Sequence, residues 1–160
     1  MYNPEREADA PATVRAMIET CYEADGMLWS SPMYNGSVSG SFKNAIDWLH
    51  MLGSREPPYL YDKVIGLIST AGGTQGLQVI NTMDFAVRSL RAWAVPYAVP
   101  VLQVGEVFAE SGVIRDEAIE LQLRMLGGEV VRVAERFARE PGLHRQAECE
   151  SAADRVAHAG

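Results

Sequence analysis

The 160-residue chain is short of cysteine, histidine and positive charge, and each shortage removes a class of function. Its two cysteines, Cys21 and Cys149, make no CxxC pair and no Cys/His spacing of the metal-binding kind, so ordinary reduced thiols are expected. His50, His144 and His158 have no partner spacing that would hold a metal either. Lys and Arg number 14 against 21 Asp and Glu, a formal net charge of −7. That balance carries no basic footprint for nucleic acid. No apolar run is long enough to cross a bilayer, and no leader pattern opens the chain. A cytoplasmic protein with neither membrane nor nucleic acid as partner is expected. There are no internal repeats.

What is present suits one domain. Hydrophobic residues make up 48% and charged residues 22%, enough apolar material for a core. The domain is expected over residues 1–140, with a polar, Ala-rich tail over 141–160 expected to be disordered. Met1 to Ala8 reads as irregular. Asp9 and Pro11 mark a helix start, and Val14, Met17, Ile18 and Cys21 follow at helical spacing. Gly26 to Ser30 holds a short apolar run that reads as a buried strand. A helix follows from about Gly40 to Leu52, with Phe42, Ala45, Ile46, Leu49 and Leu52 as its stripe. Trp48 sits beside that stripe, as a core or boundary group or a subunit contact. Val64 to Ile68 is the clearest strand, apolar almost throughout, as in a parallel strand covered on both faces. A helix is expected from about Leu77 to Trp93, stopped by Pro96, then a third strand over Tyr97 to Leu102. Pro100 puts that strand near an edge or a bulge. Asp116 is placed to cap a last helix, in which Gly127-Gly128 suggests close packing or a bend. Strands alternating with helices imply an α/β fold with a parallel sheet and right-handed crossovers.

Two loops carry the chemistry. In the first, Pro32 stiffens the chain and Asn35-Gly36 is the pair best able to adopt positive φ. Ser39 or Ser41 is placed to cap the next helix. Asn-Gly is also the strongest hairpin signal, but the flanks do not alternate, so a loop leading into a helix is expected. The second loop, Ala71-Gly72-Gly73-Thr74-Gln75-Gly76, nearly matches G-x-G-x-x-G after a strand and before a helix. The acidic partner of a dinucleotide fingerprint is not evident about 20 positions on, where Arg91-Ala92-Trp93 lies. A platform of backbone amides beside a planar ring and a plain tight turn both remain open. Both loops follow strands, so they meet at one carboxyl edge, where open α/β sheets bind ligands.

Pro32-Met33-Tyr34-Asn35-Gly36-Ser37, with Lys43-Asn44-Ala45-Ile46-Asp47-Trp48-Leu49 after it, resembles the PxYNGS…LKNALDWL signature of the NAD(P)H-dependent FMN reductase family. The second loop matches that family's later flavin-binding loop, and the resemblance runs to about Ala138. It implies a flavodoxin-like three-layer sandwich with FMN and NAD(P)H as cofactors. It implies that Pro32, Met33, Tyr34, Asn35 and Gly36 lie along the FMN ring and ribityl, and that Ala71, Gly72, Gly73 and Thr74 approach the ring's polar edge. Met33 departs from the family, in which Glu is common there. No catalytic acid or base is required, because the cofactor carries the chemistry.

The resemblance also implies hydride transfer to a small-molecule electron acceptor such as a quinone, and a homodimer or homotetramer built on the Phe42–Leu52 helix. Family members begin with a strand, a phosphate loop, a helix and a second strand. Met1-Tyr2-Asn3-Pro4 resembles the segment after these, so about three strands of an N-terminally shortened fold are expected. The Gly26–Ser30 strand then becomes an open apolar edge. Losing three charge-assisted hydrogen bonds to the FMN phosphate would weaken binding about a thousandfold or more. A non-catalytic oligomerisation or interaction module is the alternative, and an NAD-only Rossmann enzyme is a third reading.

Overall fold

A computed structural model describes residues 1–139. The expected tail, with Cys149, His144 and His158, lies outside the described residues. The described chain folds around a four-stranded sheet of order β2-β1-β3-β4. Strands β1 (Gly26–Tyr34), β3 (Val64–Thr70) and β4 (Trp93–Val101) are parallel, and β2 (Ser37–Val38) is antiparallel to the end of β1. Helices α1 (Ala12–Glu23), α2 (Gly40–Trp48) and α3 (Leu77–Ser89) cover one face, while the long α5 (Glu117–Arg139) covers the other. The short α4 (Val104–Val107) lies between β4 and α5.

The periodicities explain the layers. β3 is buried almost throughout because it is central and covered twice. Ile65 and Leu67 face α1, α2 and α3, where Ile18, Trp48, Leu52, Val79, Met83 and Val87 complete one core. Val64, Val95, Val99 and Val101 face α5 and meet Leu126, Val130 and Ala134 in a second. Each fully buried aliphatic side chain stabilises the fold by about 1.5–3 kcal/mol relative to exposure.

Several expectations change. The start is not irregular: Pro4–Asp9 forms a 3-10 helix capped by Asn3, whose side chain accepts from the Glu5 N–H. α2 ends at Trp48 and passes into a 3-10 segment, Leu49–Ser54. α3 ends at Ser89, before Pro96, because Arg91 turns the chain at φ 63°. β4 therefore starts at Trp93, and Pro96 sits within it where the ladder to β3 is irregular. Four strands replace the expected three, since β2 was read as loop. Nothing lies within 4 Å of a Cβ built on Gly127 or Gly128, so they permit no close packing. Trp48 is buried at 5% exposure, edge-on to the Tyr2 ring at 5.2 Å, and is a core residue rather than a subunit contact.

The open edge is partly as expected. β2 covers only Met33 and Tyr34. The outer side of β1 before these has no strand partner among the described residues, and Leu28 is 52% exposed there.

Candidate cofactor site

The first loop is a hairpin. The Val64 N–H donates to the Asp25 carbonyl at 3.0 Å, so Asp25 faces β3. Alternation then turns Gly26, Leu28, Ser30 and Pro32 to the outer edge, where a residue without an N–H costs no ladder bond. The strand runs through Pro32 to Tyr34, which pairs with Ser37 across Asn35 (φ 51°) and Gly36 (φ 82°). Two consecutive positive-φ residues make the tight turn that Asn-Gly favours. Alternation was not visible in the sequence because β2 is only two residues long.

Buried serines anchor this hairpin. The fully buried Ser31 Oγ accepts from the Ser39 N–H at 3.0 Å and donates to the Pro32 carbonyl at 3.1 Å. Ser39 Oγ in turn accepts from the Phe42 N–H at 3.2 Å, capping α2. Strand end, turn and helix start are thus held as one unit. Tyr34 projects from it at 62% exposure, with Asn35 and Gly36 exposed and Met33 half-buried against the core.

The second loop is pinned from the other side. The Ala71 N–H donates to the Val101 carbonyl at 2.9 Å, and its own carbonyl accepts from Val104 at 3.0 Å. The Gly73 carbonyl accepts from Gln103 at 3.0 Å. Ala71 is buried as a result, while Gly72, Gly73 and Thr74 are exposed. A Cβ on Gly72 or Gly73 would meet nothing within 4 Å, so the backbone there is open to an approaching ligand.

Adjacent strands bring the loops to one edge, with Pro32 opposite Thr70 in the ladder. A cavity of about 380 Å³ adjoins the second loop, but Thr74, α3 and β4 line it rather than the hairpin. A tyrosine and an asparagine on one strand end, and open glycine backbone on the next, fit a planar ring with a polar edge.

Sequence reasoning missed the Ser31–Ser39 link and its counterpart, Ser69. Ser69 pairs with Ser31 across the ladder, is fully buried, and its Oγ has no partner. A serine near the end of each apolar strand was the available signal, since a buried hydroxyl needs a partner.

The perturbed groups lie elsewhere. Burial, then the Glu7 carboxylate to which its hydroxyl donates, pushes the Tyr2 phenol up to about 12. Burial raises the Cys21 thiol on α1, away from reactivity. No cluster of three His, Cys, Asp or Glu that could hold a metal occurs among the described residues. No described helix is long and apolar enough to cross a membrane.

Comparison with known proteins bears on the family and the fold. The family model for NADPH-dependent FMN reductase matches residues 1–105. The NADPH:quinone oxidoreductase of Arabidopsis thaliana is 46% identical over 66 residues, covering 41% of this chain and 32% of that protein. The FMN-dependent NADPH-azoreductase of Staphylococcus aureus is 30% identical over 115 residues, covering 71% and 58%. FerB from Paracoccus denitrificans, a flavoenzyme NAD(P)H:(acceptor) oxidoreductase, superposes with a TM-score of 0.61 at 25% identity, over 84% of this chain and 72% of that one. The chain spans 32% of the length of the first of these curated relatives and 58% of the second. With a family match over residues 1–105 and the flavodoxin-like architecture of its structural neighbours, the chain belongs to the NADPH-dependent FMN reductase family.

Proposed function

We propose that this chain holds FMN between its two strand-end loops and serves an NAD(P)H-dependent reductase whose acceptor is a quinone or similar small molecule. The observation that carries the proposal is the shared edge: a projecting Tyr34-Asn35-Gly36 turn beside exposed Gly72-Gly73-Thr74 backbone. Bound FMN would supply the hydride-accepting ring that links a two-electron nicotinamide donor to the acceptor. Pro32, Met33 and Tyr34 offer the ring an apolar wall, and Asn35 and Gly36 offer hydrogen bonds at the turn. Gly72, Gly73 and Thr74 offer backbone amides and one hydroxyl to its polar edge, while Ala71, buried and with its N–H bonded to the Val101 carbonyl, anchors the loop rather than facing the ring. No side chain here is assigned a proton transfer. The name of the Arabidopsis relative supports a quinone as acceptor. A steady-state assay with NADPH and a soluble benzoquinone tests this, and FMN-dependent NADPH oxidation is expected. NADPH oxidation that neither FMN nor Tyr34→Ser alters would contradict it.

A cytoplasmic homo-oligomer belongs to the same proposal. Phe85 on α3 is 74% exposed beside a cavity of about 350 Å³ lined by Val38, Phe42, Ile46 and Ala86. A ring next to a groove on one face suits a two-fold contact. Phe85→Asp should yield a monomer by light scattering; an unchanged oligomer would remove that surface. The non-catalytic module has only the open β1 edge in its favour.

A further inference from the structure

Five non-glycine residues among those described have positive φ, and two of them stand at the carboxyl edge of the sheet: Asn35 in the hairpin and Gln103 just after β4. Asn35 suits that conformation, because a short polar side chain can bond its own backbone. Gln103 has no such aid. It lies in the left-handed region (φ 49°, ψ 45°), its side chain is exposed, and its carboxamide makes no hydrogen bond among the described residues. Such a conformation is costly and persists only where the surroundings fix it.

What fixes it is backbone. With Gln103 left-handed and Val104 opening α4, two successive N–H groups turn to one side. The Gln103 N–H donates to the Gly73 carbonyl and the Val104 N–H to the Ala71 carbonyl, both at 3.0 Å. The Ala71 N–H donates to the Val101 carbonyl at 2.9 Å. The end of β4 thus grips the second loop at alternate carbonyls.

That grip aims the rest of the loop. In a trans peptide the C=O and the next N–H point in opposite directions. The one cis bond among the described residues is Glu56-Pro57, so holding the Ala71 and Gly73 carbonyls turns the Gly72 and Thr74 N–H groups away from β4. β3 lies between β4 and β1, so these groups face the side on which the Tyr34-Asn35-Gly36 turn stands. Neither bonds to another group among the described residues. We infer that Gln103 is a positioning residue: its left-handed backbone clamps the second loop so that the Gly72 and Thr74 N–H groups donate to the polar edge of the flavin ring. The inference rests on the flavin-binding reading and adds to it a residue that touches neither ring nor substrate. Donors at that edge favour the reduced ring, which carries more electron density there, because hydrogen bonds to charged acceptors are about twice as strong as neutral ones.

The test begins with amide exchange by NMR on the flavin-free 160-residue chain. The Gln103 and Val104 amides should be protected and the Gly72 and Thr74 amides open; FMN should then protect the second pair. Two variants follow. Gln103→Gly keeps the N–H and takes the left-handed region without strain, whereas the β-branched side chain of Gln103→Val resists it. Gln103→Gly should bind FMN and riboflavin as the wild type does, and Gln103→Val should weaken both at least tenfold. In Gln103→Val the reduced flavin should lose at least tenfold more affinity than the oxidised one, a fall in the two-electron potential of about 30 mV. A residue with only a structural role would lower the melting temperature and leave that potential unchanged. The exchange measurement needs no variant, so it decides the clamp even where valine unfolds the turn. FMN binding that leaves the Gly72 and Thr74 amides open, or a potential indifferent to Gln103→Val, would overturn the inference and leave the flavin site standing. No flavin binding by the wild type would refute the flavin site, and the inference with it.

Discussion

Gly66 sits mid-β3 opposite Leu28, with α5 lying directly over it. A Cβ added there would stand 2.7 Å from Leu28 Cδ2, 2.8 Å from Val130 Cγ2 and 3.1 Å from Leu126 Cδ1. Carbon pairs prefer about 3.5–4.0 Å, so each neighbour must give way by roughly half an ångström or more. Leu28 is half-exposed and can turn aside. Val130 and Leu126 are 5% and 0% exposed, so the helix itself must lift. Overpacking of this kind costs about 1–3 kcal/mol, against up to about 1 kcal/mol returned by alanine's lower chain entropy in the unfolded state. Gly66→Ala should therefore destabilise by about 1–2 kcal/mol, lowering the melting temperature by about 2–8 °C for a chain of this size. Urea unfolding measures it. Val130→Ala in the same background should recover part of the loss, a coupling of about 0.5 kcal/mol or more. Gly73→Ala, with nothing within 4 Å, serves as the comparison and should stay within about 0.5 kcal/mol of the wild type. A Gly66→Ala protein as stable as the wild type would refute the packing of α5 on β3.

Three further outcomes follow from the site and its supports. Ser31→Ala leaves the buried Ser39 N–H without its acceptor and should cost about 1–3 kcal/mol by urea unfolding, with weaker flavin binding because the hairpin loses its tie to α2. Gly36→Ala forces an L-residue to φ 82° and should cost about 1–2 kcal/mol, read the same way. Tyr2 favours its protonated form in the fold, so its contribution is complete below pH 10.0 and disappears as pH rises through about 12. Stability should fall across that window in the wild type, and more shallowly in Tyr2→Phe, when the midpoint is followed against pH.

The layer order was legible in the sequence because it rests on periodicity. The Ile80, Met83, Val87 spacing and the apolar run of β3 leave few other arrangements, although Leu77, read into the same stripe, is 63% exposed. The family was legible because turn, cap and helix stripe coincide between Pro32 and Leu49. Features that depend on tertiary contacts were not. Pro32 reads as part of a stiff loop until the edge position of β1 excuses its missing N–H and lets the strand run on to Tyr34. β4 begins before Pro96 because Arg91, not proline, ends the preceding helix. The roles of Ser31 and Ser69 are visible only once their strands are adjacent. Gly76 looks like ordinary turn material until its packing on Leu102 and Ser69 is seen.

Titration of the 160-residue chain with FMN and with riboflavin, followed by flavin fluorescence, tests the central claim most directly. With the proposed ring contacts in the two loops, both flavins should be quenched to saturation with affinities within about tenfold. Tyr34→Ser should weaken both at least tenfold, since it removes the exposed ring from the edge of the site. Saturable quenching with that loss is the predicted result. No quenching of either flavin, or binding indifferent to Tyr34, would contradict a flavin site between these two loops.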